Sequence, residues 1–183
     1  MKIVKKELNI KGVYLITMPV HKDSRGLFTE VYNNQIINTL NYKINWIQDN
    51  ESISDKYVFR GLHFQIGSYS QSKLLRVPHG KILDVMIDLR KNSLTFKKHI
   101  NLKLDSGNKI LFIPKGIAHG FLSLAENTIV SYKCDNKYYP NKESGVNPFI
   151  SNLNINWGVD LEKIKISEKD KIFPSLDESY IFD

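Results

Sequence analysis

The chain has 183 residues, 42% of them hydrophobic and 11% aromatic, enough for one domain over residues 1–183 whose core needs no covalent staples. Its one cysteine, Cys134, rules out an intrachain disulfide and reads as a structural thiol. The formal charge of +7 suits an acidic partner, but the lysines are scattered and the aromatics do not interleave with arginines, so nucleic acid is not expected.

No apolar run long enough for a signal peptide or a membrane span follows the basic start Met1-Lys2-Ile3-Val4-Lys5-Lys6, so a cytoplasmic location without membrane contact is expected. Short alternating or β-branched runs then recur at Val13–Thr17, Val31–Tyr32, Ile44–Ile47, Lys73–Val77, Ile82–Asp88, His99–Leu104, Lys109–Ile113 and Thr128–Tyr132. Turn formers separate them at Asp23-Ser24-Arg25-Gly26, Pro78-His79-Gly80, Asp105-Ser106-Gly107-Asn108 and Pro114-Lys115-Gly116. This rhythm predicts an all-β antiparallel sandwich or barrel. Helical spacing is confined to Asn33–Leu40 and to Ser167–Lys171. The last forty residues, rich in Asn, Lys and acids and broken by Pro140, Pro148 and Pro174, are expected to wrap the barrel as an irregular tail.

Of the five histidines, His63 and His119 stand in contexts beyond surface or turn. His119 closes Pro114-Lys115-Gly116-Ile117-Ala118-His119, the Pro-x-Gly-x-x-His spacing of the second cupin motif, which points to a double-stranded jelly roll. The first metal-cupin motif needs two histidines one residue apart and a nearby carboxylate. Here it reads His63-Phe64-Gln65 with no glutamate following, so no metal is expected and the site must work by proton transfer.

The ordered set of motifs resembles the dTDP-4-dehydrorhamnose 3,5-epimerase family, a cofactor-independent branch of the cupins. It runs from Asp23-Ser24-Arg25-Gly26-Leu27-Phe28-Thr29-Glu30 through Gln48-Asp49-Asn50-Glu51-Ser52, Arg60-Gly61-Leu62-His63-Phe64-Gln65, Gln71–Val77, Asp84–Arg90, Pro114–Phe121 and Tyr132-Lys133-Cys134 to Ser167-Glu168-Lys169-Asp170. The resemblance implies a cupin-type jelly roll, no cofactor, and inversion of C3 and C5 of dTDP-4-dehydro-6-deoxy-glucose. A stereocentre beside a ketone is inverted by removing the α-proton on one face and returning a proton on the other, so a base and an acid must flank the sugar ring. His63 suits the base because an imidazole titrates near neutrality, with Asp170 as the carboxylate that fixes its tautomer. Tyr132 matches the acid on the far face, provided a nearby cation offsets its phenolic pKa. Tyr138 remains the alternative acid.

Lys73 matches the cation that meets the enolate oxygen, and His119 a support for that oxygen or for sugar hydroxyls. Arg60, Gln48, Asn50 and Ser52 are implied to hold the nucleotide, with Tyr138 against its base or sugar. Arg25, Phe28 and Glu30 are implied to come from the neighbouring subunit of a homodimer that exchanges N-terminal strands. Two features depart from the family. Gly145-Val146-Asn147-Pro148-Phe149-Ile150-Ser151 stands where the family carries a tryptophan and two acids, and is expected at the rim of the site; Pro78-His79-Gly80 replaces an arginine-glycine turn. The other readings are an enzyme that inverts one carbon or takes a GDP- or CDP-linked sugar, and a silent cupin that only binds a nucleotide sugar.

Overall fold

Alternating apolar positions give the strands two usable faces, and the computed structural model, which describes residues 2–40 and 42–183, stacks them into two antiparallel sheets. Six strands form the first sheet in the order β1 (Val4–Glu7), β2 (Tyr14–Thr17), β10 (Lys109–Ile113), β7 (Lys73–His79), β12 (Thr128–Cys134) and β5 (Gln48–Ser54). Five form the second, in the order β13 (Glu143–Gly145), β6 (Phe59–Gln65), β11 (Ile117–Ser123), β8 (Lys81–Asp88) and β9 (His99–Asp105). Strands β3 (His21–Asp23) and β4 (Gly26–Phe28) form a separate exposed hairpin. This is the cupin-type jelly roll that the sequence predicts.

Leu75 and Val77 of β7, Ile82 and Met86 of β8, Leu111 of β10, Phe121 of β11 and Val130 of β12 meet between the sheets. The five-stranded sheet is also covered behind. There Phe59, Leu62, Phe64, Leu83, Val85 and Leu122 pack on Val146, Leu153, Trp157 and Leu176 of the tail. Two-sided burial explains why β8 and β11 read as continuous apolar runs rather than as alternation. The helix α1 (Asn34–Leu40) covers the outer face of the first sheet through Ile36 and Leu40 against Ile110 and Phe112.

Two expected strands do not form. Val31 and Tyr32 lie in a connection, and Ile44 and Trp46 pack into the cluster around α1, so pairing starts only at Gln48. The strand that does form, β5, turns Gln48, Asn50 and Ser52 inward and so lacks an apolar signature. The tail is mostly irregular, as expected, apart from β13 and the short α2 (Glu168–Lys171). Asp88, within the family-like run Asp84–Arg90, is a structural anchor: its buried carboxylate accepts from Arg90, Ser93 and Thr95, and Arg90 continues to the carbonyl of Lys11.

One irregularity places the site. On β6, Arg60 pairs with Phe121 and His63 with His119, so three steps along β6 match two along β11. Residues three apart on a regular strand face opposite sides; the extra residue of this bulge lets Arg60 and His63 face the same cleft. Gly61 permits it at φ +132°, with Gly120 so close that a Cβ on Gly61 would lie 2.5 Å from the Gly120 Cα. Gly61→Ala should therefore destabilise the fold by about 2–3 kcal/mol. A urea unfolding midpoint equal to that of the unmodified chain would show that the bulge tolerates a side chain.

Candidate active site

The space between the sheets opens as a cleft of about 490 Å³. Arg60, His63, His119 and Phe121 line it from the five-stranded sheet, and Ser52, Lys73 and Tyr132 from the six-stranded sheet. Tail residues Ser167, Lys169 and Asp170 close one end, and Tyr138 and Glu143 stand between the main cleft and an adjoining lobe of about 240 Å³. Gln48 and Asn50 line that lobe.

His63 Nε2 lies 2.8 Å from Asp170 Oδ1, the pair that the resemblance implied across more than a hundred residues of chain. Asp170 is buried, its second oxygen accepts from the Gly61 N–H at 3.1 Å, and Ser167 caps the short helix by accepting from the Asp170 N–H. Burial alone would raise this carboxyl, but the hydrogen bonds from His63 and Gly61 outweigh it and hold Asp170 below its ordinary value. The edge of the His63 imidazole meets the ring of Phe173, with centroids 5.6 Å apart.

Opposite, Lys73 Nζ stands 5.9 Å from the centroid of the Tyr132 ring. Burial pushes the Tyr132 phenol up to about 12, and the opposing influence of Arg60 is too small to reverse it. The cation compensation expected from sequence is thus outweighed by desolvation, and Tyr132 holds its proton firmly. Burial also lowers Lys73, against the pull of Cys134, Asp84 and Glu143. His119 is 2.8 Å from Asp84, and burial drives both toward their neutral forms.

Arg60 is steered by Ser54 and the carbonyl of Ile53. Gln48 donates to Asn50 Oδ1, while Ser52 Oγ is buried with no hydrogen-bond partner among the described residues. Arg25, Phe28 and Glu30 do not reach this cleft from their own chain. Arg25 is exposed and pairs with Asp23 of its own hairpin, Phe28 is exposed, and Phe28 and Glu30 line a separate cavity near the N-terminus. The divergent segment 147–151 is not at the rim either: Asn147 is tied to Lys171 and Pro174, and Phe149 stacks on Trp157 behind the sheet.

Sequence reasoning passed over Glu143 and Lys169, which form an ion pair at the cleft, with Glu143 also accepting from the Tyr138 hydroxyl at 2.9 Å. It also passed over Asp84, although a lone acid inside the apolar run of β8 signals a buried partner. Among the described residues no group of three or more His, Cys, Asp or Glu side chains is gathered to hold a metal ion.

An imidazole on one wall faces a protonated phenol and a lysine on the other, an arrangement that can move protons at two faces of a bound ring. The model of the dTDP-4-dehydrorhamnose 3,5-epimerase family matches residues 7–178. The chain belongs to this family. It is 39% identical over 176 residues to the dTDP-4-dehydrorhamnose 3,5-epimerase of Methanothermobacter thermautotrophicus, covering 95% of each chain. The Bacillus anthracis dTDP-4-dehydrorhamnose 3,5-epimerase, solved with TDP and PPi bound, is 40% identical with a TM-score of 0.90, over 96% of this chain and 100% of that one. The Legionella pneumophila dTDP-6-deoxy-D-glucose-3,5-epimerase, solved with dTDP-4-keto-L-rhamnose, is 32% identical with a TM-score of 0.88, over 97% and 94%.

The lowered Asp170 fixes a sign. Its ionised form is favoured by folding, so it adds stability that is complete above its ordinary value of 3.8 and is lost as pH falls through its folded value. Asp170→Asn should be less stable than the parent near neutrality, and the gap in urea midpoint should narrow below about pH 4. A gap independent of pH would mean that the charge of Asp170 does not contribute.

Proposed function

We propose that the protein inverts C3 and C5 of dTDP-4-dehydro-6-deoxy-glucose, giving dTDP-4-dehydro-L-rhamnose through enolates and without a cofactor, in a single domain spanning residues 1–183. The observation that carries the reading is His63 on one sheet, paired with Asp170 of the tail helix α2, facing Tyr132 and Lys73 on the other sheet. The dTDP-4-keto-L-rhamnose bound to the Legionella relative, the product on this reading, and the TDP bound to the Bacillus relative support the nucleotide and the sugar.

In this reading His63 removes the proton next to the C4 ketone, and Asp170 keeps its tautomer and stabilises the imidazolium that results. Lys73 receives the charge that moves onto the C4 oxygen. Tyr132 returns a proton on the opposite face. Its high pKa is no obstacle, because an enolate is a stronger base than a phenolate. The commitment of the Tyr138 hydroxyl to Glu143 favours Tyr132 over Tyr138 as the acid, leaving Tyr138 to the nucleotide. Arg60, Gln48, Asn50 and Ser52 hold the diphosphate and nucleoside, and His119 supports the oxygen or the hydroxyls. The retained acid and base argue against a silent binding cupin.

Incubation with the 4-keto sugar nucleotide in heavy water, followed by NMR, should show deuterium entering at C3 and at C5. Exchange at one carbon would make it a single-site epimerase, and tight binding without exchange a silent cupin. His63→Ala should lower the exchange rate by at least about 10²-fold while the fold persists. Persistent exchange in that variant would remove His63 from the role of base.

We further propose a homodimer that exchanges N-terminal strands, working in the cytoplasm, in which Arg25, Phe28 and Glu30 complete the neighbour's cleft. The supporting observation is that Arg25 and Phe28 of the exposed hairpin, and Glu30 just after it, are exposed and lie away from their own cleft. Among the described residues, no helix is long and apolar enough to cross a membrane. Mixing inactive His63→Ala with inactive Arg25→Ala should restore activity, because a mixed dimer contains one cleft with both side chains intact. No recovery after verified subunit exchange would place Arg25 outside the neighbour's site.

A further inference from the structure

Gln65 occupies the place where a metal cupin would carry its second histidine, and the proton-transfer chemistry above gives it nothing to do. It is nonetheless nearly fully buried, at 3% exposure, and lies on β6 two residues beyond His63. We infer that Gln65 is a positioning residue: its carboxamide hangs the Tyr138–Tyr139 wall of the cleft from the strand that carries the base. The inference rests on the reading that the cleft takes a dTDP-sugar with Tyr138 against the nucleotide.

The geometry is specific. Strand β12 ends at Cys134 and β13 begins at Glu143, and the chain between them has no strand to satisfy its backbone. The Tyr139 N–H donates to Gln65 Oε1 at 2.9 Å, and the preceding Tyr138 N–H donates to Gln48 Oε1 at 3.2 Å. Two consecutive peptide groups are thus held by carboxamides from opposite sheets. An N–H can only donate, so each amide must turn its oxygen to the wall. The Gln48 amide spends its nitrogen on Asn50.

The wall is then fixed from its other side. The Tyr139 ring packs on Tyr69 at 4.2 Å between centroids, the Tyr138 hydroxyl donates to Glu143, and Glu143 pairs with Lys169, the residue before Asp170. One continuous set of contacts therefore runs from β6 through the aromatic wall to the helix that holds Asp170, the carboxylate paired with His63. Histidine at position 65 would direct a ring nitrogen to a metal; glutamine supplies a carbonyl oxygen that an N–H can use. Removing that oxygen loosens the surface against which the nucleotide rests and leaves the base and the acid on their own strands.

The test is a split between binding and turnover. Gln65→Met keeps the length and apolar stem but removes the acceptor. It should raise KM for the nucleotide sugar and the dissociation constant of free dTDP together by about tenfold, the cost of one neutral hydrogen bond, with kcat within about twofold of the parent. A fall in kcat at unchanged KM and dTDP affinity, or parental values throughout, would overturn the inference. Amide hydrogen exchange on the unaltered protein decides the matter even if the variant does not fold. The Tyr139 N–H should be protected, more so with dTDP bound; exchange at the rate of an open loop would overturn it. A protein that takes up no deuterium into the sugar would fail as an epimerase, yet dTDP titration and amide exchange would still judge Gln65.

Discussion

The carboxylate of Asp170 joins parts of the molecule that are otherwise independent. A buried anion is tolerated only with partners, and this one takes the His63 imidazole and the Gly61 N–H on β6 while its own N–H is capped by Ser167. Each partner exists because of something else. The Gly61 N–H is free because the bulge takes that residue out of the ladder with β11, and the same bulge turns Arg60 and His63 to one side. The tail must therefore close over the five-stranded sheet for His63 to be oriented. The apolar residues behind that sheet, Leu153, Trp157 and Leu176 against Phe59 and Phe64, drive that closure.

The parts that sequence made legible are those with local signals. The Pro-x-Gly-x-x-His turn, the β-branched runs of β7 to β10 and β12, and the resemblance that pairs His63 with Asp170 all correspond to features of the fold or the cleft. The parts that stayed hidden have signals that burial or function erases. Strand β5 reads as polar because its inner face is the floor of a cleft, and Ile44 and Trp46 look like a strand because they pack on α1. The position of segment 147–151 depends on contacts with Lys171, Pro174 and Trp157 that no local pattern announces. Glu143 and Lys169 are ordinary charges until the fold sets them together.

Two stacked sheets are well suited to chemistry that needs two faces. Side chains on opposing inner faces approach a bound ring from opposite sides, and strand pairing holds each group on a rigid element. On the proposed reading this division matches the reaction: Arg60, His63 and His119 on one sheet, Lys73 and Tyr132 on the other. On the same reading the nucleotide is gripped by Gln48, Asn50 and Ser52 of β5 and Arg60 of β6, with Tyr138 of the chain between β12 and β13 against it.

Burial also sets what charge the cleft carries. It drives His119 and Asp84 toward neutrality, lowers Lys73 and raises Tyr132, so desolvation opposes charge on four groups around one space. In such surroundings an isolated lysine cation is poorly compensated, since Cys134, Asp84 and Glu143 only partly offset its desolvation. Proton abstraction by His63 then creates, on the proposed reading, a full negative charge at the substrate oxygen beside it. The interaction is strongest after the proton has moved, in a medium where water screens it little, so it lowers the barrier more than it tightens ground-state binding. The same desolvation keeps Tyr132 protonated until the enolate, a stronger base, is present to take its proton. On the proposed reading, the order of events, abstraction first and return second, follows from the burial of Tyr132.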